Sequence, residues 1–258
     1  MRVLGIALLL ALLAPACGGG GSGDLSTVAS AIRDAELRGA EFQLTETLSQ
    51  SGGEIPKGKI ALVKFTARGR ARDDNAEMVL KLKNSTGASL GSFDLIIGDS
   101  DLFVRPHGST REWFEGPAGV ANHFYPGVRL NLLRETVLLA SKVTRGATFS
   151  NGALLNQYTI TPGGDQLEQV QSTVVGPQEE AKYLKSAVGT MTVFLTGGGQ
   201  LKRVDLKASG TDPTTSLKQT IDSSLVFNKI GGVSAVAVPA TAIQVQPGNL
   251  FATTLPSA

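Results

Sequence analysis

The sequence is poor in the residues on which many functions depend. Its 258 residues include one cysteine, two histidines and one tryptophan. A single cysteine allows no internal disulfide, and with two histidines it matches no familiar zinc spacing, so we expect no metal site. No phosphate loop or dinucleotide glycine pattern follows a predicted strand, so we expect no cofactor. The 24 Lys and Arg nearly balance the 22 Asp and Glu, which argues against a nucleic-acid partner.

A long apolar run is also missing. The run Val3–Leu13 is too short to span a bilayer, which needs about 20 apolar residues. Arg2 precedes this run and Ala14-Pro15-Ala16 separates it from Cys17, which is the order typical of a secretory signal peptide. A cysteine at the cleavage point resembles the lipobox of bacterial lipoproteins. We therefore expect residues 1–16 to be a signal peptide and Cys17 to carry a diacylglyceryl and palmitate anchor; an ordinary secretory peptide is the alternative.

The rest of the chain divides into a tether, one domain and a tail. Residues 17–23 are rich in Gly and Ser and predict a flexible tether, 24–246 form a single domain, and 247–258 form a loose tail. A helix is predicted after the tether, capped by Asp24 or Ser26 and ended by Gly39. Its apolar positions are Leu25, Val28, Ala29, Ile32, Ala35 and Leu37.

From Phe42 onward apolar and polar residues alternate, which predicts one long antiparallel meander with a single apolar face. The Gly197-Gly198-Gly199 turn joins two of its later strands. Helical spacing returns between Gly127 and Gly146, and again from Leu167 to Leu184. The order predicts an α+β fold whose helices lie on the apolar face of the sheet. A long sheet with few helices favours a hollow between the two layers.

The order of these features resembles the actinobacterial lipid-carrier lipoproteins of the LppX/LprG type. The matching segments are Phe93–Asp99 running into Leu102–Val104, Arg111–Phe114, Tyr125-Pro126 before the helix near Leu132, Thr192–Leu195 with Gln200-Leu201, and Val238–Ala242. The resemblance covers essentially the whole mature chain, with the long segment 164–189 as a departure.

This resemblance implies an α+β half-barrel, similar to LolA-type carriers, in which helices pack on the concave face of a large curved antiparallel sheet around a hydrophobic cavity. It implies a non-enzymatic lipoprotein on the extracytoplasmic face of the cell membrane. Its partners would be a lipid or glycolipid ligand, the membrane and an envelope transporter. The implied role is to bind acyl chains and carry them across the cell envelope.

Strand facing and the mid-chain helix suggest which residues would line such a cavity. The candidates are Val63, Phe65, Leu80, Leu82, Phe93, Leu95, Ile97, Val104, Leu132, Leu133 and Leu138, with Trp113, Phe124 and Tyr125 at its mouth. The alternative is that the same residues fill a close-packed core, in which case the chain would be a non-catalytic envelope scaffold or interaction lipoprotein.

Two polar features of the predicted strands stand out. Glu46 falls on the side that should be dry, where an unpaired carboxylate is costly, so it lies at the rim or has a partner elsewhere in the chain. Arg68, Arg70 and Arg72 share one strand face, which is either simply solvated or in contact with anionic headgroups.

The segment Gly87–Gly91 matches the G-x-S-x-G pattern of a nucleophilic serine. That chemistry needs a strand–Ser–helix turn with a downstream acid and histidine, for which Asp94 or Asp99 and His107 or His123 would have to serve. Because Ser89 lies between two predicted strands, we interpret the segment as a turn between strands and expect no enzyme activity.

Overall fold

A computed structural model describes residues 19–20, 22–53, 61–73, 75–98, 101–117, 130–140, 142–150, 152–161, 188–211 and 214–245. Within these residues the helices are α1 (Ser22–Arg38) and α2 (Leu130–Leu139). The strands are β1 (Gly19–Gly20), β2 (Ala40–Ser51), β3 (Ala61–Arg72), β4 (Asn75–Asn84), β5 (Ser89–Ile97), β6 (Asp101–Pro106), β7 (Trp113–Pro117), β8 (Val143–Ser150), β9 (Ala153–Ile160), β10 (Val188–Leu195), β11 (Leu201–Thr211), β12 (Lys218–Ile230) and β13 (Ala242–Gln244).

Helix α1 ends where the sequence predicts. Gly39 follows it with a φ of 76°, a left-handed conformation that only glycine adopts without strain. A Cβ at Gly39 would also lie 2.7 Å from the Cβ of Val233, so glycine is required for the close approach of these segments. The predicted start was wrong, because the helix begins at Ser22 and Asp24 lies inside its first turn. Leu37 is exposed, since it lies about 200° around the helix from the buried Ala35.

The predicted antiparallel strands are confirmed, and all the strands belong to one sheet. Its order is β1-β8-β9-β10-β11-β12-β2-β3-β4-β5-β6-β7-β13, with the first and last strands unpaired to each other, so the described sheet is open. Neighbours pair antiparallel except β13, which runs parallel to β7. The sheet therefore consists of two sequential meanders, β2–β7 and β8–β12, which are joined side by side where β12 pairs with β2 over almost its whole length.

Several strands were not predicted from the sequence. The hairpin of β8 and β9 occupies residues 143–160, where only a helical stripe and its end had been assigned. Helix α2 stops at Leu139, well before Gly146. The helices predicted between Leu167 and Leu184 fall within residues 162–187, which lie outside the described residues.

The helices and one face of the sheet share a single buried core. Val28, Ile32 and Ala35 of α1 and Leu133 and Val137 of α2 belong to the same apolar cluster as the inward side chains of the strands. We call this the inward face of the sheet and the opposite side the outward face. No helix among the described residues is long and apolar enough to cross a membrane.

Candidate functional site

The inward face brings most of the predicted lining residues together. Register places Leu80 opposite Phe93 and Leu95 opposite Val104, so four candidates are direct cross-strand neighbours. The fully buried candidates are Phe65, Leu80, Phe93, Leu95, Ile97, Val104 and Leu133. Val63 and Leu82 are partly buried at the border of the cluster. The predicted strand facing is therefore confirmed; the lipid-lining role of these residues remains a prediction.

The other candidates lie elsewhere. Leu138 is 57% exposed, because it follows the buried Val137 by one residue and so lies about 100° further around α2. Leu132 lies within α2. Phe124 and Tyr125 are outside the described residues.

The proposed mouth residue Trp113 lies on the outward face. There it contacts a small apolar cluster formed by Ile96, Phe103 and Val236, and the Arg105 guanidinium lies 4.2 Å from its ring centroid. The strand β7 thus directs Trp113 away from the buried lining candidates, while the next residue, Phe114, packs against the core.

The buried candidates are in contact with protein on every side. Leu80, Ile97 and Val104 have no exposed surface, and Leu95 has 1%. A side chain that lined an empty space wide enough for water would show surface there. These residues are therefore close-packed in this state, and an acyl chain could reach them only if the layer above them moved.

The inward side of the β8–β9 hairpin carries an exposed apolar pair beyond the core. Phe149 and Leu154 are cross-strand partners near the tip of the hairpin, and they lie on the same side of their strands as Val143 and Ile160. Phe149 is 73% exposed and Leu154 is 54% exposed. Between this pair and the buried Val143 and Ile160 lie the cross-strand pairs Ala147 with Asn156 and Arg145 with Tyr158, and the Arg145 guanidinium lies 5.9 Å from the Tyr158 ring centroid. The exposed pair is therefore separated from the core by two polar side chains.

Glu46 is the polar exception on the inward face, and it is only 3% exposed. Its cross-strand partners are Phe65 on one side and Ser223 on the other. Burial raises the pKa of Glu46 to about 8, although a hydrogen bond with the Ser223 side chain opposes the shift. The partner that the sequence left open is therefore Ser223 on β12. At neutral pH the carboxyl is mostly protonated, which removes the large cost of a buried charge.

The outward face is polar and carries two shallow grooves that share Arg68 and Val79. The larger, of about 610 Å³, is also lined by Thr45, Lys81 and His107. The smaller, of about 250 Å³, lies between Arg68, Arg105 and Trp113. Both of these grooves therefore lie on the charged side of the sheet.

The serine motif forms a turn between strands, as predicted. Backbone and Asn84 side-chain hydrogen bonds close the β4–β5 turn, and Ser89 begins β5 opposite Lys83. No helix follows Ser89, so the geometry of a nucleophile elbow is not formed. Asp94 does contact His107, with Oδ1 2.5 Å from Nδ1, but it lies five residues further along β5, about 17 Å away. Asp99 and His123 lie outside the described residues.

Comparison with known proteins finds similar solved structures but no match in sequence. No protein-family model matches the chain, and no curated protein matches it in sequence. Among solved structures it is similar to the lipoprotein LppX of Mycobacterium tuberculosis, with a TM-score of 0.45 and 10% identity over 84% of this chain and 100% of that chain. It is also similar to LprF of Mycobacterium bovis, with a TM-score of 0.43 and 12% identity over 87% of this chain and 100% of that chain.

A third solved structure is a DUF1329 family protein from Desulfovibrio piger, with a TM-score of 0.33 and 10% identity over 82% of this chain and 94% of that chain. The first match, LppX, is of the type that the sequence resembles. At these TM-scores and identities the likeness assigns no ligand or residue role to this chain.

Proposed function

We propose that this chain is an extracytoplasmic lipoprotein, anchored to the cell membrane through an acylated Cys17, that binds the acyl chains of lipids or glycolipids and carries them across the cell envelope. In this proposal the sheet is a half-barrel, the helices cover its concave inward face, and the acyl chain lies between the two layers. An envelope transporter would deliver or receive the lipid. No step requires catalysis.

The observation that carries the proposal is the extent of the apolar inward face. Buried side chains from β2 to β6 and from β9 to β12 form one cluster. Exposed Phe149 and Leu154 lie on the same side of the sheet, at the tip of the β8–β9 hairpin. Soluble chains rarely leave large side chains side by side and exposed unless they bind something apolar. In this proposal the exposed pair is the first contact of an acyl chain that then enters between the layers.

Energetics favour exchange with a membrane. Each methylene removed from water contributes about 0.8 kcal/mol, so a 16-carbon chain gains on the order of 12 kcal/mol. A bilayer offers the same chain a similar gain. A carrier therefore needs only a dry apolar surface of comparable quality, without a precise polar site, for transfer to run in both directions.

The close packing of Leu80, Leu95 and Ile97 favours the second candidate function, a non-catalytic envelope scaffold with a filled core. The two candidates differ in what the protein contains after purification. For the test, the Cys17→Ser chain, which is expressed with its signal peptide and carries no acyl group of its own, is purified from the soluble fraction and extracted with organic solvent. Mass spectrometry should find a stoichiometric lipid. An empty extract, together with no uptake of the fluorescent fatty acid cis-parinaric acid, would leave the scaffold as the function.

Leu95→Trp probes the space between the layers. Leu95 is fully surrounded on β5, so the larger indole should overpack the core and lower the free energy of unfolding by about 1–3 kcal/mol. It should also reduce uptake of cis-parinaric acid, because it occupies the volume that an acyl chain would enter. Val79→Trp on the outward face of β4 is the matched control, and it should leave uptake unchanged. Equal uptake by both variants would place the lipid outside this layer.

Cys17→Ala tests the anchor. The thiol is the only possible site of acylation, so the variant should leave the membrane fraction, because residues 3–16 are too short to hold it there. Membrane fractionation after a salt wash measures this. Retention of the variant with the membranes would contradict the lipoprotein assignment, whatever the result of the extraction.

A further inference from the structure

The three arginines of β3 differ in the contacts that they make. Arg70 contacts the Glu77 carboxylate at 2.6 Å and the Ser234 hydroxyl, and Arg72 donates to the Val233 carbonyl at 2.7 Å. Both therefore fasten the segment after β12 to the sheet. Arg68 is exposed, and none of the described residues forms a hydrogen bond or an ion pair with it.

Three lysines on the same face, like Arg68, are exposed and have no partner among the described residues. We define the cationic strip as Lys64, Arg68, Lys81 and Lys83, all exposed on the outward face of β3 and β4. No described residue forms an ion pair or a hydrogen bond with any of them. Lys64 and Lys83 are direct cross-strand partners, an arrangement of like charges that is unfavourable without an anion nearby.

The carboxylates next to the strip are already neutralised. On the outward faces of β2 to β5 the described carboxylates are Glu41, Glu77 and Asp94. Each has a Lys or Arg within 3.6 Å: Glu41 has Lys229, Glu77 has Arg70, and Asp94 has Arg105. The cross-strand partners of the strip outside the strip itself are the uncharged Gln43, Thr47, Thr66, Val79, Ser89 and Ser92. The strip thus keeps its positive charge among the described residues, which leaves it available to an anionic partner.

The register places the strip at the same level along the strands as the point where the N-terminal tether reaches the sheet. Gly20, three residues after Cys17, pairs with Val143 on β8. From Val143 one row of cross-strand partners crosses the sheet through Ile160, Met191, Leu206, Ser223, Glu46, Phe65 and Leu82. Lys64 adjoins Phe65 in sequence, and Lys81 and Lys83 flank Leu82. Three of the four cations therefore lie within one residue of the row that holds the tether.

We propose that the cationic strip is a docking surface for an anionic membrane, whose headgroup phosphates face Lys64, Arg68, Lys81 and Lys83. The inference rests on the proposed anchoring of the chain at Cys17. Three residues span at most about 11 Å when extended, so an anchored Cys17 holds the start of β8 beside the headgroups, level along the strands with the strip on β3 and β4. Each Lys or Arg close to an anionic membrane surface strengthens binding by about 1 kcal/mol, or about fivefold. The strip would then fix which face of the sheet meets the membrane, which a flexible anchor alone does not.

The test uses the mature chain with Cys17→Ser, which contains every described residue and no acyl group. Its co-sedimentation is compared on vesicles of phosphatidylcholine and on vesicles of equimolar phosphatidylcholine and phosphatidylglycerol. Binding should require the anionic lipid and should weaken as salt is added. Lys81→Gln with Lys83→Gln should reduce the partition coefficient by about 25-fold. Lys81→Arg with Lys83→Arg, which keeps both charges, should retain binding.

Lys207→Gln with Lys229→Gln is the matched control. It removes the same net charge from the outward face, but from lysines that lie beside Asp222 and Glu41 and away from the strip. If this control loses as much binding as the Lys81/Lys83 variant, binding depends only on the overall charge of the protein, and the proposal is overturned. Failure of the parent chain to bind anionic vesicles would also overturn it, and would point to a soluble polyanion. Neither result changes the outcome of the lipid-extraction test, so failure of this proposal can be distinguished from failure of the proposed function.

Discussion

The two faces of the sheet are built from alternate residues of the same strands and have opposite chemistry. On β5 the inward Phe93 and Leu95 are buried in the core, whereas Asp94 between them faces outward and pairs with Arg105 and His107. β2 contains one exception to this contrast, because the polar residue Glu46 lies on the inward face and is buried. The difference indicates that stability resides on the inward face, while the outward face is available for contacts with other molecules.

The largest effect is expected from truncating an inward side chain. Phe93→Ala removes a fully buried ring opposite Leu80 and should lower the free energy of unfolding by about 3–5 kcal/mol. Leu90→Ala, at an exposed position of the same strand, should cost less than about 1 kcal/mol. Urea denaturation of both variants measures the difference. Similar costs for the two would mean that the two faces do not differ in packing.

Glu46→Gln should have the next largest effect, and it should be stabilising. The ordinary pKa of 4.5 applies in the unfolded chain, whereas the folded value is about 8. Between these values the folded chain holds a proton that the unfolded chain has released, so the free energy of unfolding falls as pH rises, by about 1.4 kcal/mol per unit. At pH 7 the glutamine variant should be more stable by up to about 3 kcal/mol, and near pH 4 the gain should vanish.

Glu41→Gln is the control for this pH dependence. Glu41 lies on the outward face of the same strand, half exposed and beside Lys229, so the change should alter stability by less than about 1 kcal/mol at either pH. Thermal unfolding of both variants at pH 4 and pH 7 provides the comparison. A stability curve of Glu46→Gln that runs parallel to that of the parent chain would show that the buried carboxyl does not titrate in this range.

The smallest effect is expected from an outward ion pair. Asp94→Asn weakens contacts with Arg105 and His107 that are partly exposed to water, so the stability should fall by only about 0.2–1 kcal/mol. The loss should shrink further in high salt, because exposed charges are screened. A loss of stability as large as that of Phe93→Ala would show that these ion pairs contribute as much to the free energy of unfolding as a core side chain.

Local patterns in the sequence were sufficient to predict most strands of β2 to β6 and the hairpin of β10 and β11. In these segments apolar residues recur at every second position with few exceptions, and the turns are marked by Gly87 and by Gly197 to Gly199. The hairpin of β8 and β9 was missed because its first strand lacks this alternation. Its first strand places Arg145 and Ala147 on the inward side and Thr144 and Gly146 on the outward side, which gives almost no contrast between the faces.

The candidate site was predictable only in part. The inward facing of Leu80, Phe93 and Leu95 follows from the period of two. The outward facing of Trp113 does not, because β7 is short and its register is set by its partners β6 and β13. The exposure of Phe149 and Leu154 could not be read from the sequence either, since it depends on how far the helices extend over the sheet.

By itself the sequence determined the elements that depend on neighbours a few residues away: the alternating faces of the strands, the end of α1 at Gly39, and the lipobox-like segment that ends at Cys17. Only the tertiary structure decided which distant residues meet. It placed β12 beside β2, which gives Glu46 the partner Ser223 and leaves its carboxyl protonated. It also engaged Arg70 and Arg72 with residues 233 and 234 and gave Arg68 no partner among the described residues, because pairing between remote segments is set by the packing of the whole sheet and not by any local pattern.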